Sequence, residues 1–261
     1  MRRVILLVVA SLLLAPFAEA VDGVFEINQA CAVNTGCFPG DSAGFPVTIT
    51  GTSESSYRLT GSLVVPDANT AGISVSRPSI TIDLNGFEIL RSGCEGATTS
   101  CAPASGTGSG VELTSPELQG ISVKNGTVTG MGQTGVYLGD QAQVTNVRVR
   151  WNRLDGIDTR DGSTVSDNLA YQNGGNGISV STGSTIRGNT SYDNDENGIQ
   201  SFSIGGSSVQ NNTVTLNGGY GLVLLEKDAY LSNVITDNGS GTVQGGVNVG
   251  GNACNGVAAC P

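Results

Sequence analysis

Histidine is absent from this chain. That excludes every mechanism that needs an imidazole as base, acid or metal ligand. Basic residues are scarce as well, with 12 Lys and Arg against 22 Asp and Glu. So acidic a chain repels phosphate backbones and anionic lipid headgroups, and neither nucleic acid nor membrane is expected as a partner. The phosphate-cradling pattern G-x-x-x-x-G-K-[ST] does not occur. Aromatic residues make up only 5%, and no apolar run beyond the first twenty positions approaches the length of a membrane span.

The first twenty residues read as an export signal. Arg2 and Arg3 supply the charged start, residues 4–14 an apolar run, and Ala18-Glu19-Ala20 an A-x-A cleavage site. The run is about half of the roughly 20 apolar residues a spanning helix needs. No Cys follows the cleavage site, so a lipid anchor there is not expected. The expected location is therefore secreted or periplasmic. Removing the segment takes two Arg and one Glu with it and leaves a net charge of −11.

Gly accounts for 39 of 261 residues, and Asn, Ser and Thr recur throughout. This mixture suits turns and short strands and suits helices badly. Disorder is the ordinary reading of so much Gly and Ser, but regularly placed Val, Ile and Leu argue against it. The six cysteines fall into three close pairs, Cys31 with Cys37, Cys94 with Cys101, and Cys254 with Cys260. In an exported chain an even count favours disulfides, and pairing within each neighbourhood is the simplest connectivity. A metal site is the alternative, although the tight spacing of zinc ligands is missing.

An internal repeat carries the fold. Gly135-Val136, Gly156-Ile157, Gly177-Ile178, Gly198-Ile199 and Gly221-Leu222 recur at steps of 21, 21, 21 and 23 residues. That is too short for a strand–helix–strand crossover, and the apolar spacing inside each repeat is two, as in strands. Two or three strands joined by bends close one coil, and successive coils stack at about 4.8 Å. The alignment predicts three interior columns. They are Val144, Val165, Ile186 and Val209; then Val149, Ala170, Ser191, Val214 and Ile235; then Val136, Ile157, Ile178, Ile199 and Leu222. Asn168, Asn189, Asn212 and Asn233 align at a bend as a structural amide ladder. Asn152, Asn173, Asn194, Asn217 and Asn238 form a second column. The expected fold is all-β, a right-handed parallel β-helix solenoid wound from a single chain with short caps, the handedness following from the general preference for right-handed crossovers. The segments are read as signal peptide 1–20, N-terminal cap 21–56, β-helix 57–250 and disulfide-closed C-terminal cap 251–261.

Ile80-Thr-Ile-Asp-Leu-Asn-Gly-Phe-Glu-Ile89 and the repeat G-I-x-V/L followed by N-x-V/A-x-x-N resemble the pectin-lyase-like superfamily, in its short-repeat form. The early segment often has His in that family where Phe87 stands here. The resemblance implies the fold firmly and the activity poorly, because such repeats serve lyases, hydrolases, epimerases, tailspikes and surface proteins. The Asp and Gly-His-Gly motifs of pectin hydrolases are missing. The family's lyases often pair Asp-bound Ca²⁺ with an Arg base, but no catalytic motif matches residue by residue.

Three sets of outward residues are candidates for chemistry. Asp158, Arg160 and Asp161, with Asp140 one coil beneath Asp161, are the catalytic candidates; the bland alternative is an exposed ion pair. Arg150, Tyr171 and Tyr192 stack on consecutive coils beside Trp151 and offer a platform for sugar rings, against the alternative of plain sheet cover. Asp193, Asp195 and Glu196 form an acidic turn whose oxygens suit Ca²⁺, the one cofactor considered, against the alternative of a solvated turn. The expected role is a secreted solenoid that binds polysaccharide or serves as a surface structure. A diverged polysaccharide lyase or glycoside hydrolase and a protein-interaction scaffold are the other readings. Oligomeric state is not legible in these residues.

Overall fold

The computed structural model describes residues 23–50, 55–256 and 260; the segment read as an export signal lies outside them. Nine strands, running from Val47–Ile49 to Gly241–Gln244, make one short-stranded sheet. Seventeen more form two ladders that merge where Ser122–Thr129 and Gln143–Arg150 pass through the bend without a break. Each coil therefore has three sides. This is the expected all-β parallel solenoid, and among the described residues its one helix is the six-residue Gln29–Asn34.

Register follows the repeat. Val136, Ile157, Ile178, Ile199 and Leu222 pair in parallel, coil upon coil. So do Val144, Val165, Ile186 and Val209, and Val149, Ala170, Ser191, Val214 and Ile235. All of them are buried, because period-2 alternation sends every second side chain inward. The Gly before each strand marks a close approach. A Cβ at Gly177 would lie 2.1 Å from Ser191 Oγ and 2.7 Å from Asn194 Nδ2.

The bends explain the asparagines. At one bend Asn146, Asp167, Asn211 and Ser232 have φ between 54° and 59°, the left-handed region, which costs a residue other than Gly roughly 1 kcal/mol or more. Each of the last three immediately precedes a ladder asparagine. Asn168 N and Nδ2 both donate to Asn189 Oδ1 at 3.0 Å. Asn189 repeats this toward Asn212 at 2.9 and 3.1 Å, and Asn212 toward Asn233 at 2.9 and 3.0 Å. The second Nδ2 proton of Asn189 goes to Val165 O at 2.9 Å, so all four bonding positions of the amide are filled. The second column does the same from Asn152 to Asn238. A serine ladder holds a third corner, with Ser163 N donating to Ser184 Oγ and Ser184 N to Ser207 Oγ.

The ends are closed by local chemistry. Gln29, on the helical turn, uses its side-chain amide as a substitute strand, accepting from Val64 N at 2.8 Å and donating to Val64 O at 3.2 Å. The ladders begin within the segment read as a cap, where Phe25–Ile27 pairs with Ser56–Leu59, because its alternating apolar residues already fit the sheet. They end at Ala253–Cys254. The cysteines form the three local disulfides, Cys31–Cys37, Cys94–Cys101 and Cys254–Cys260, which leaves no thiolate set for a metal.

The ladder makes a quantitative prediction. Asn189→Ala orphans the backbone N–H of Asn168 and several amide partners inside the bend, and should cost about 2–4 kcal/mol. Urea unfolding followed by circular dichroism measures it; a loss within about 0.5 kcal/mol, the range of an ordinary surface change, contradicts the ladder's role.

Candidate functional site

The nine-stranded sheet presents its outward residues to water in two neighbouring columns. Ile157 and Thr159 point in, so Asp158 and Arg160 point out. Asp158 pairs with Tyr137 on the coil below and Ser179 on the coil above. Tyr137, Asp158 and Arg160, with Phe202 two coils above Arg160 and the turn residues Asp140 and Asp161, line a groove of about 350 Å³. The three catalytic candidates thus come together in one place. Tyr137 and Phe202 join them and were not singled out from the sequence. Tyr137 was legible, since Gly-Val-Tyr137 stands 21 residues before Gly-Ile-Asp158. Phe202 was legible in the same way, since it stands two 21-residue steps after Arg160 and the two extra residues of its coil follow it.

Asp158 is the group whose chemistry is most altered. Its carboxyl is pushed up to about 7, first by burial, then by the charge of Asp155, with Arg160 opposing. Asp155 is itself raised by burial. Its oxygens accept from Asn176 N at 2.7 Å and Ser179 Oγ at 2.7 Å. Asn197 N in turn donates to Asn176 Oδ1 at 3.1 Å, and Tyr220 N to Asn197 Oδ1 at 2.8 Å. Asp155 is therefore the foot of a further ladder, visible in sequence as Asp155-Gly, Asn176-Gly and Asn197-Gly.

The other acidic candidates have structural duties. Asp161 N donates to Asp140 Oδ1 at 3.2 Å, and Asp161 Oδ1 accepts from Thr182 N at 3.2 Å and from Ser181 Oγ. Arg160 turns toward Tyr137, its Nη2 donating to the phenol oxygen at 3.5 Å. Tyr137 and then the nearby carboxylates hold the Arg160 proton more firmly than usual, the wrong direction for a base.

The bend geometry governs how much of the aromatic column is exposed. Trp151 occupies a left-handed bend position with φ 56° and is 3% exposed. It lies beneath the Arg150 guanidinium at 4.3 Å and edge-on to Tyr171. Arg150 is held by Thr129, Tyr171 and Glu88 at 3.1, 3.1 and 3.5 Å. Of the four residues only Tyr192 stands well exposed, so the column is a tied surface network. It lies on a different side of the coil from the groove. The acidic turn is likewise engaged: Asp193 Oδ2 accepts from Gln172 Nε2 at 2.9 Å. Among the described residues no three His, Cys, Asp or Glu side chains converge as a metal seat, so Asp193, Asp195 and Glu196 do not assemble into one.

A family model described as the right-handed β-helix region matches residues 109–260. No curated protein matches the chain. Among solved structures, a double mutant of the periplasmic alginate epimerase AlgG is similar with TM-score 0.52 and 17% identity, over 90% of this chain and 65% of that one. The chain thus spans less than two thirds of that protein's length. The A-module of the mannuronan C-5 epimerase AlgE4 of Azotobacter vinelandii aligns with TM-score 0.43 and 15% identity, over 84% of this chain and 70% of that one. At these identities the likeness is one of fold.

The raised Asp158 predicts a pH effect with a definite sign. Its carboxyl in the unfolded chain titrates near 3.8, so below that pH both states are protonated and nothing is lost. As pH rises from 4 to 7 the unfolded chain releases the proton while the folded one keeps it, and stability falls. Asp158→Asn removes this loss. Allowing for the carboxyl's partial exposure, it should gain stability on the order of 2 kcal/mol more at pH 8 than at pH 4. Urea unfolding at the two pH values checks it, and an equal effect at both contradicts the raised carboxyl.

Proposed function

The chain belongs to the right-handed β-helix family, and from that premise we propose that it works outside the cytoplasm and holds a polysaccharide strand in the groove of its nine-stranded sheet. The observation that carries this is the meeting of Tyr137, Asp158, Arg160 and Phe202 in one concavity across successive coils. Such a surface offers aromatic faces, acceptors and donors at intervals set by the coil rise of about 4.8 Å, which suits a repeating linear polymer. The paired cysteines fit an oxidising compartment. A β-helix neighbour named for alginate supports polysaccharide as the class of partner.

Asp158 favours a second reading, in which the groove also cleaves what it holds. A carboxylic acid that keeps its proton near neutral pH is what a general acid needs, and Asp140 and Asp161 supply further carboxylates beside it. An Arg160-based lyase is disfavoured by the firmly held guanidinium proton.

Affinity electrophoresis through gels loaded with different polysaccharides tests the binding reading. At least one glycan should retard the protein, with retardation lost in Tyr137→Ala and Phe202→Ala and kept in Tyr192→Ala. A mobility unchanged in every gel, or loss only in Tyr192→Ala, contradicts the groove. Release of reducing ends from a retarding glycan tests cleavage. It should fall at least about a hundredfold in Asp158→Asn, the scale of a lost general acid, and activity that survives this change excludes the acid role.

A further inference from the structure

We infer that the polysaccharide held in this groove is a neutral hexopyranose polymer, recognised by hydroxyl-to-carboxylate hydrogen bonds and by stacking on Phe202. The inference rests on the binding reading and specifies its ligand. The first argument is charge. Asp140, Asp158 and Asp161 line the groove with a single cation, Arg160. That guanidinium already reaches Tyr137 and lies in the field of Asp140 and Asp158. The carboxylate of a uronate entering here meets the like charges of Asp140 and Asp161, a carboxyl at Asp158 that is partly protonated near neutral pH, and a cation whose field is largely taken up.

The second argument is hydrogen-bond inventory. An ionised carboxylate only accepts, and a sugar hydroxyl is a donor that fits it. Asp140 and Asp161 use Oδ1 for the backbone of the next coil, which leaves Oδ2 of each for a ligand. Arg160 and the Ser181 and Ser203 hydroxyls complete a polar lining without another positive charge.

The third argument is the rim. The 23-residue coil spends its two extra residues between Ser201 and Ser207, on the loop that carries Phe202 and Ile204. Phe202 is 37% exposed and Ile204 70%. The apolar C–H face of a neutral pyranose covers such side chains well, whereas a hydrated carboxylate does not. Bridging a uronate through a divalent cation finds no seat among the described residues, where no three metal-ligating side chains converge.

Isothermal titration of the full chain with neutral β-glucan, galactomannan and xylan, and with alginate and polygalacturonate, each with and without Ca²⁺, tests the inference. At least one neutral polymer should bind about tenfold or more tightly than either uronate polymer. That binding should weaken about tenfold in Phe202→Ala. Asp161→Asn should weaken it too, and Asp161→Glu should restore part of it. A uronate polymer that binds more tightly, with binding lost in Phe202→Ala, overturns the neutral-ligand inference and leaves the groove standing. Binding to none of the five overturns the inference and the binding reading together.

Discussion

Everything in this molecule depends on a single constraint: three bends per coil must bury their backbone polar groups, and each needs a partner repeated at every turn. Side-chain ladders meet that need. The asparagine amide suits the task because one group accepts twice and donates twice, so each can accept from the coil below, donate to a carbonyl of that same coil and donate to the asparagine of the coil above. In return the ladder holds residues such as Gln172 and Leu216 in a left-handed conformation that neither adopts readily alone. The polarity of the ladders has consequences as well. The two long asparagine columns donate toward the C-terminal coils, whereas the Asp155–Asn176–Asn197 column donates back toward the N-terminal ones. At the end of a column only an acceptor is wanted, and there the chain places a carboxylate: Asp155 in one case, and in the serine ladder Asp228, which takes Ser207 N at 2.7 Å and Leu225 N at 2.8 Å.

The site grows out of this scaffold. Asp155 is where it is for structural reasons, yet its charge adds to the burial that raises the carboxyl three residues on. Asp140 and Asp161 likewise secure successive turns with one oxygen each and show the other to the groove. The groove's chemistry is therefore that of ladder ends and turn anchors pressed into a second use. That explains why it carries so many acids and only one cation. Its apolar rim comes from the one regular coil that breaks the 21-residue step.

Much of this was legible in the sequence. Interior columns, coil register and both long asparagine ladders follow from counting, because stacking converts a sequence step of 21 into contact in space. Cys pairs six or seven residues apart needed only the oxidising compartment to be read as bridges. The site was half legible. Counting placed Asp158, Arg160 and Asp161 near one another and put Asp140 beneath Asp161. It could not show how much of a bend residue its neighbours cover, and Trp151, read as part of a sugar platform, is covered by the Arg150 guanidinium and the edge of Tyr171. Nor could it show that Arg160 turns to Tyr137, since that choice depends on the reach of a long side chain across one coil. Phe202 could have been counted into the same column, two regular steps after Arg160.

The central claim, that buried side-chain amides carry the stacking, is tested most directly by hydrogen exchange. With ¹⁵N-labelled protein, the Nδ2 protons of Asn168, Asn189 and Asn212 should exchange as slowly as the strand amides beside them, opening only when the coils themselves separate. Exchange of those three side chains at the rate of a surface asparagine such as Asn211, while the strands stay protected, would contradict it.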